Sequence, residues 1–124
     1  MDVVAFGKEI QCDDRVRKIM NQCVRRFISE NKNDLYEIVE EVSSNRETVK
    51  DAFLAVSDEL FSGGVSWGRI IAFYSFGSLL ASRCKSIETD VVKVMDVYTA
   101  GVIVPFVLEN GGWGQFCRTS GNSY

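Results

Sequence analysis

The side chains with most chemistry to offer are the four cysteines, Cys12, Cys23, Cys84 and Cys117. None forms the close Cys-x-x-Cys pair that a zinc site or a redox motif requires. The opening MDVVAFGKEI lacks the basic segment, apolar run and cleavage site of a secretory signal. Reduced thiols in an intracellular protein are therefore expected, rather than two disulfides in a secreted domain. The chain has no histidine, which removes the commonest general base and the commonest metal ligand. No nucleophile stands in a pattern with a base. The sequence thus points away from catalysis, metals and cofactors.

The elements that would position a binding surface follow from length and pattern. The 124 residues suit a single domain over 1–124, and 46% hydrophobic with 25% charged residues is an ordinary globular balance. A net charge of −3 gives no broad reason to bind nucleic acid. The longest apolar region, Trp67 to Ala81, is interrupted by Arg69 and closed by Arg83. It falls short of the roughly 18 to 20 residues that span a bilayer, so no stable membrane span is expected.

From Lys8 to Ser62 there is neither glycine nor proline, which permits long helices. Val16, Ile19, Met20, Cys23, Val24, Phe27 and Ile28 form one stripe at helical spacing. Leu35, Ile38, Val39 and Val42 form a second, and Val49, Ala52, Phe53, Val56 and Leu60 a third. Asp13 and Asp14 are expected to cap the first, Asp34 with Glu37 and Ser44 with Glu47 to make capping boxes for the others. A short helix over Asp2 to Gln11 is expected before them.

After Gly63 and Gly64, the run WGRIIAFYSFGSLLASRC is apolar on nearly every side, the mark of a helix buried in the middle of a domain. Another helix should begin at Ser86. VIVPFV is open to helix or strand, with Pro105 expected to break a helix there. A last helix should begin near Gly112 and carry Trp113 and Phe116 inward. The expected fold class is all-α, a globular bundle with a central hydrophobic helix wrapped by amphipathic ones.

Two motifs sharpen this. ELFSGGVSWGRIIAFYSFG, Glu59 to Gly77, resembles the first homology region of Bcl-2 family apoptosis regulators. ENGGW, Glu109 to Trp113, followed by Phe116, is similar to that family's second region, at nearly the family's separation. Val16, Met20, Cys23 and Phe27 fall where its third region lies, with the required i, i+4, i+7, i+11 spacing. Val24 and Arg25 depart from the small and acidic residues expected there, so this helix reads as core-facing rather than as a killer ligand. The resemblance covers about Val16 to Ser120.

The resemblance implies a Bcl-2-like fold and a surface groove that receives an amphipathic helix from a pro-apoptotic relative. Phe27, Leu35, Ile38 and Val42 would line one side. Val56, Glu59 and Leu60 would form the floor and far wall, and Phe76 would reach up from the central helix. Arg69 would pair with the partner's aspartate, its planar fork matching a carboxylate. Gly68 would let the partner backbone come close. The family usually has asparagine where this chain has Ser66, whose side chain keeps a donor and an acceptor but is shorter, so a hydrogen bond to the partner is expected to be lost. Trp67 reads as support for the helix end, and Gly111 and Gly112 as a turn.

The implied function is inhibition of apoptosis by sequestering pro-apoptotic Bcl-2 proteins, Bim-like ligands and Bak/Bax-type effectors, through their helical death motif. The resemblance is greatest to viral anti-apoptotic homologues. The lack of a long insert before the second helix and of a C-terminal anchor suggests this, although truncation of a longer chain explains the latter equally. The expected location is the cytoplasm, that of a host cell if viral, or peripheral at mitochondria. Three alternatives stay open: a pore former of the same fold, a homodimer whose groove packs on itself, and a small-molecule carrier or enzyme.

Overall fold

A stretch free of glycine and proline can run as helix until polar side chains draw the backbone into turns, and the first half of the chain does so three times. The structure, a computed structural model, describes residues 14–45, 47–83 and 85–121. Helix α1 is Asp14–Glu30, α2 is Lys32–Ser43 and α3 is Val49–Phe61. The helix expected over Asp2 to Gln11 and the cap expected from Asp13 lie outside the described residues. Asp14 is itself the first helical residue of α1.

Both expected capping boxes are corrected. Helix α2 starts at Lys32, so Asp34 sits inside its first turn, where a carboxylate favours the positive end of the helix dipole. Asn31 occupies the junction instead. Its backbone N–H and its side-chain amide both donate to the carbonyl of Phe27, at 3.0 and 2.9 Å, closing α1 as α2 opens. Ser44 ends α2 rather than starting α3, its hydroxyl donating to the Glu41 carbonyl at 2.8 Å. The Asn45 carboxamide then accepts the Glu47 N–H at 3.0 Å, a local turn that delays α3 to Val49.

Gly64, at φ +113°, makes the turn into α4, Trp67–Arg83. This is the central helix: Ile70, Ile71, Phe73, Tyr74, Phe76, Leu80 and Ala81 are all buried, and α1, α2, α3 and α5 pack around it. Fully burying each large side chain contributes about 1.5–3 kcal/mol relative to exposure. Gly77 marks the tightest approach, since a Cβ there would lie 2.8 Å from Met95 Sδ and 3.2 Å from Phe53 Cζ. Phe73 stacks on Phe53 at 5.7 Å between centroids and meets Phe61 and Tyr98 at 5.6 and 5.5 Å. Two buried hydroxyls bond within their own helices, Ser75 donating to the Ile71 carbonyl at 2.7 Å and Ser57 to the Phe53 carbonyl at 2.8 Å, while the buried Ser78 hydroxyl has no partner among the described residues.

A 3-10 turn, Lys85–Ile87, leads into α5, Glu88–Tyr98. The ambiguous VIVPFV is helical. A π-turn, Thr99–Ile103, widens the spiral just ahead of Pro105, which takes a first-turn position in α6, Val104–Glu109. A proline lacks the N–H of an ordinary helical residue, and the wider turn accommodates it, so the expected break becomes a change of pitch. The longest apolar helical run is therefore Lys85–Glu109, 25 residues, rather than the central helix. By length and composition it is sufficient to cross a bilayer. Gly111 and Gly112, at φ +93° and +74°, turn the chain into α7, Gly112–Gly121, which packs on α1 and α6.

Candidate functional site

The residues around the N-terminus of α4 are bound to one another in a small constellation. Ser66 stands immediately before the helix, and its Oγ accepts the backbone N–H of Arg69 at 3.1 Å. The Ser66 carbonyl accepts from Ile70 at 3.0 Å, the first bond of the helical ladder. A serine at this place satisfies one of the donors that every helix start leaves open. The Arg69 side chain folds back over the preceding turn and donates from Nη1 to the Gly64 carbonyl at 2.7 Å. A Cβ on Gly63 would lie 3.3 Å from that Nη1, so the glycine pair makes the seat in which the guanidinium rests. Arginine carries five donors, and that bond engages one of them.

Gly68 is exposed, and the one neighbour a Cβ there would meet is Ser66 Oγ at 3.9 Å. Nothing within the described chain requires glycine at this position, although glycine inside a helix costs about 0.5–1 kcal/mol relative to alanine. Trp67 turns the other way. Its ring meets Phe106 edge-on at 5.0 Å, Phe116 at 5.5 Å and Trp113 at 6.5 Å, tying the start of α4 to α6 and α7. Trp67 is thus a structural support. Phe116 is fully buried and Trp113 half-buried beside it.

The remaining expected site residues divide by exposure. Ile38 and Glu59 are exposed, while Phe27, Val56 and Leu60 are half-buried. Leu35, Val42 and Phe76 are buried at 7, 9 and 6% exposure, with Phe76 against Phe53 at 5.6 Å. On α3, Leu54, Asp58 and Phe61 face α5: the Tyr98 hydroxyl donates to the Asp58 carboxylate, and the Tyr98 ring stacks on Phe61. Val56 and Leu60 stand two residues from Leu54 and Asp58, so a 100° step per residue puts them on the opposite flank. That flank is the one away from α5. Helix α1 presents Val16, Met20 and Cys23 to the core at 6, 0 and 0% exposure, which accounts for its core-facing reading.

Electrostatics in this region are simple. Burial pushes the Cys23 thiol up, with Arg26 acting in the opposite sense and Cys117 reinforcing it, so this thiol is a poor nucleophile. Cys12 and Cys84 lie outside the described residues. Burial first, then the Asp58 carboxylate, holds the Tyr98 hydroxyl at a pKa of about 12, well above the usual phenol. No cluster of three or more metal-ligating side chains occurs among the described residues. The carbonyl of Gly64 and the seat at Gly63 were not singled out from sequence as partners of Arg69; the glycine pair preceding WGR by a few residues was the available signal.

The profile of "Apoptosis regulator proteins, Bcl-2 family" matches residues 17–113. The chain belongs to the Bcl-2 family. It is 40% identical to human Bcl-2-like protein 1 over 81 residues, which cover 61% of this chain and 35% of that protein. Chicken Apoptosis regulator Bcl-2 is 35% identical over the same length, with the same coverage. Apoptosis regulator R11 of Xenopus laevis is 28% identical over 116 residues, 90% of this chain and 57% of that protein. The chain thus spans between about a third and just over half the length of these relatives. Proteins of the Bcl-2 family are apoptosis regulators and not enzymes, which agrees with the lack of a catalytic constellation in the sequence.

Proposed function

We propose that this Bcl-2 family member inhibits apoptosis by holding the amphipathic death-motif helix of pro-apoptotic relatives in a groove flanked by α1, α2 and α3 over α4. The observation that carries the reading is Arg69, seated by Gly64 beside the side-chain-free surface of Gly68. A cation held at a helix start, with unused fork donors, suits an incoming carboxylate. Phe27, Ile38, Val56 and Leu60 supply apolar surface, while Leu35, Val42 and Phe76 would contribute after a modest shift of α2 relative to α4. Bim-like ligands and Bak/Bax-type effectors are the partners of this proposal. A viral origin, with action in the host cytoplasm or peripherally at mitochondria, belongs to the same reading.

The test is calorimetric titration of the chain with a peptide carrying a pro-apoptotic death motif. Saturable 1:1 binding by wild type, weakened in Arg69→Ala, is the expected result. No binding by wild type would end the proposal, and equal binding by both would end the role of Arg69.

One observation favours a second reading, a pore-forming regulator. The 25-residue apolar helix Lys85–Glu109 is only 39% buried over its most apolar stretch. Against it stand Val24 and Arg25 in α1, which depart from the small and acidic residues of the third region. Cytochrome c-loaded mitochondria separate the two: release by added protein favours the pore former, blocked release the inhibitor.

A further inference from the structure

Helix α1 carries Arg15, Arg17, Lys18, Arg25 and Arg26 against Asp14 and Glu30, an excess of cations in a chain whose net charge is −3. Arg26 is answered within the helix, its Nε donating to the Glu30 carboxylate at 2.8 Å. Arg15, Lys18 and Arg25 are exposed and make no ion pair or hydrogen bond with another described residue. At about 100° per residue, Lys18 and Arg25 stand opposite the buried Val16, Met20 and Cys23, with Arg15 and Arg17 on the two flanks. From Arg15 to Arg25 the outward face is basic over about 15 Å. Asn21 and Gln22 lie between the cations, and with Arg17, Lys18 and Arg25 they line a shallow hollow of about 450 Å³.

The helix gains little of its own from this arrangement. The first turns of a helix favour carboxylates, yet Arg15, Arg17 and Lys18 occupy them. Arg15 and Lys18, three residues apart, are neighbouring like charges and repel. The chain's excess of acid lies on other elements, with Asp34, Glu37, Glu40 and Glu41 on α2 alone. Exposed charges reach only about 8 Å at physiological ionic strength, so a surface laid against α1 meets its cations rather than the net charge of the chain.

We infer that this face lies against an anionic lipid bilayer, its cations meeting the phosphates and carboxylates of the headgroups. A protein partner requires an apolar anchor at the middle of the contact, and the exposed Arg15, Arg17, Lys18 and Arg25 supply none. Single-stranded nucleic acid requires aromatic platforms on which bases stack, and the residues of the hollow include no aromatic. A bilayer requires only charge, and four cations on one face of an amphipathic helix meet that requirement. The apolar side of α1 is built into the core, with Met20 and Cys23 at 0% exposure, so attachment is electrostatic and peripheral rather than by insertion. None of these cations lies in the proposed groove.

Flotation of the whole chain with lipid vesicles tests this. Vesicles of phosphatidylcholine with about 30% phosphatidylserine should carry the chain at about 0.05 M salt, and pure phosphatidylcholine vesicles should not. Raising the salt to about 0.5 M should release it. Lys18→Gln or Arg25→Gln should lower binding about fivefold, and the double variant about twenty-five-fold. Lys93→Gln, exposed on α5, changes the net charge equally and should stay within about twofold of wild type. All three positions are exposed, and circular dichroism verifies that each variant folds. Failure of the wild type to bind the anionic vesicles overturns the inference. Equal binding to pure phosphatidylcholine also overturns it, since that assigns attachment to apolar surface. A loss in Lys93→Gln equal to that in Arg25→Gln does the same, because net charge then explains the effect. Binding to a double-stranded oligonucleotide but not to vesicles assigns the cations to nucleic acid and overturns it too.

Discussion

The backbone N–H of Arg69 donates to Oγ of Ser66 at 3.1 Å, while the Arg69 side chain reaches back to the Gly64 carbonyl at 2.7 Å. The residue at 66 thus holds the helix start on which the guanidinium is mounted. A change at 66 therefore acts on the helix start and, under the proposed function, on ligand contact as well.

These two roles separate experimentally. Ser66→Ala removes the cap acceptor and should cost about 0.5–2 kcal/mol of stability, read as a lower urea midpoint. Ser66→Asn keeps an equivalent cap, so stability should hold, while its longer side chain adds a hydrogen bond to a bound helix. That bond would tighten binding by about 0.5–1.5 kcal/mol. Unchanged affinities across a panel of death-motif peptides would show that position 66 acts on the helix alone.

Arg69→Ala should weaken binding of a death-motif peptide by about 2–5 kcal/mol, towards the lower end because the site is solvent-accessible. Arg69→Lys keeps the charge but loses the planar fork, and should fall between. The urea midpoint reports the other consequence. Because the bond to Gly64 is at the surface, both variants should stay near wild-type stability, within about 1.5 kcal/mol.

Gly77→Ala places a methyl group 2.8 Å from Met95 Sδ and 3.2 Å from Phe53 Cζ. Methionine can shift, but the phenylalanine ring is locked between Phe73 and Phe76. Overpacking of this kind costs about 1–3 kcal/mol. In a double-mutant cycle, Gly77→Ala should cost less in a Met95→Ala background than in the wild type, because the methionine it crowds is gone. A stabilised Gly77→Ala, as expected for an unstrained helical glycine, would show that α4 and α5 separate without penalty.

Tyr98 gives the fold a dependence on alkaline pH. Burial and Asp58 favour its neutral form and raise the pKa from 10.0 to about 12 in the folded chain. The unfolded chain therefore releases this proton first as pH rises. The resulting contribution to stability is complete below about pH 10 and is lost progressively between about pH 10 and 12, on the order of 2 kcal/mol. Tyr98→Phe should remove this slope. Chemical denaturation of both proteins at pH 9 and pH 11.5 measures it, and parallel losses in both would assign the slope to other groups.

The sequence by itself determined the helical class, the central helix and the family. These depend on local periodicity and on a contiguous motif, and both survive whatever the chain does at long range. It also placed the turn at Gly111 and Gly112, because positive φ is a local demand that glycine meets. The helix starts were misread at Asp34 and Ser44, since several polar residues in succession offer competing caps and packing selects among them. Tertiary structure alone decided that Leu35, Val42 and Phe76 are buried while Ile38 is not. An apolar residue at helical spacing does not reveal whether its face meets the core or a groove. Only tertiary structure seated Arg69 on Gly64, and only it turned Val97 and Leu108 outward. The motif named the chemistry; the packing of α3, α4 and α5 determined which surfaces remained to use it.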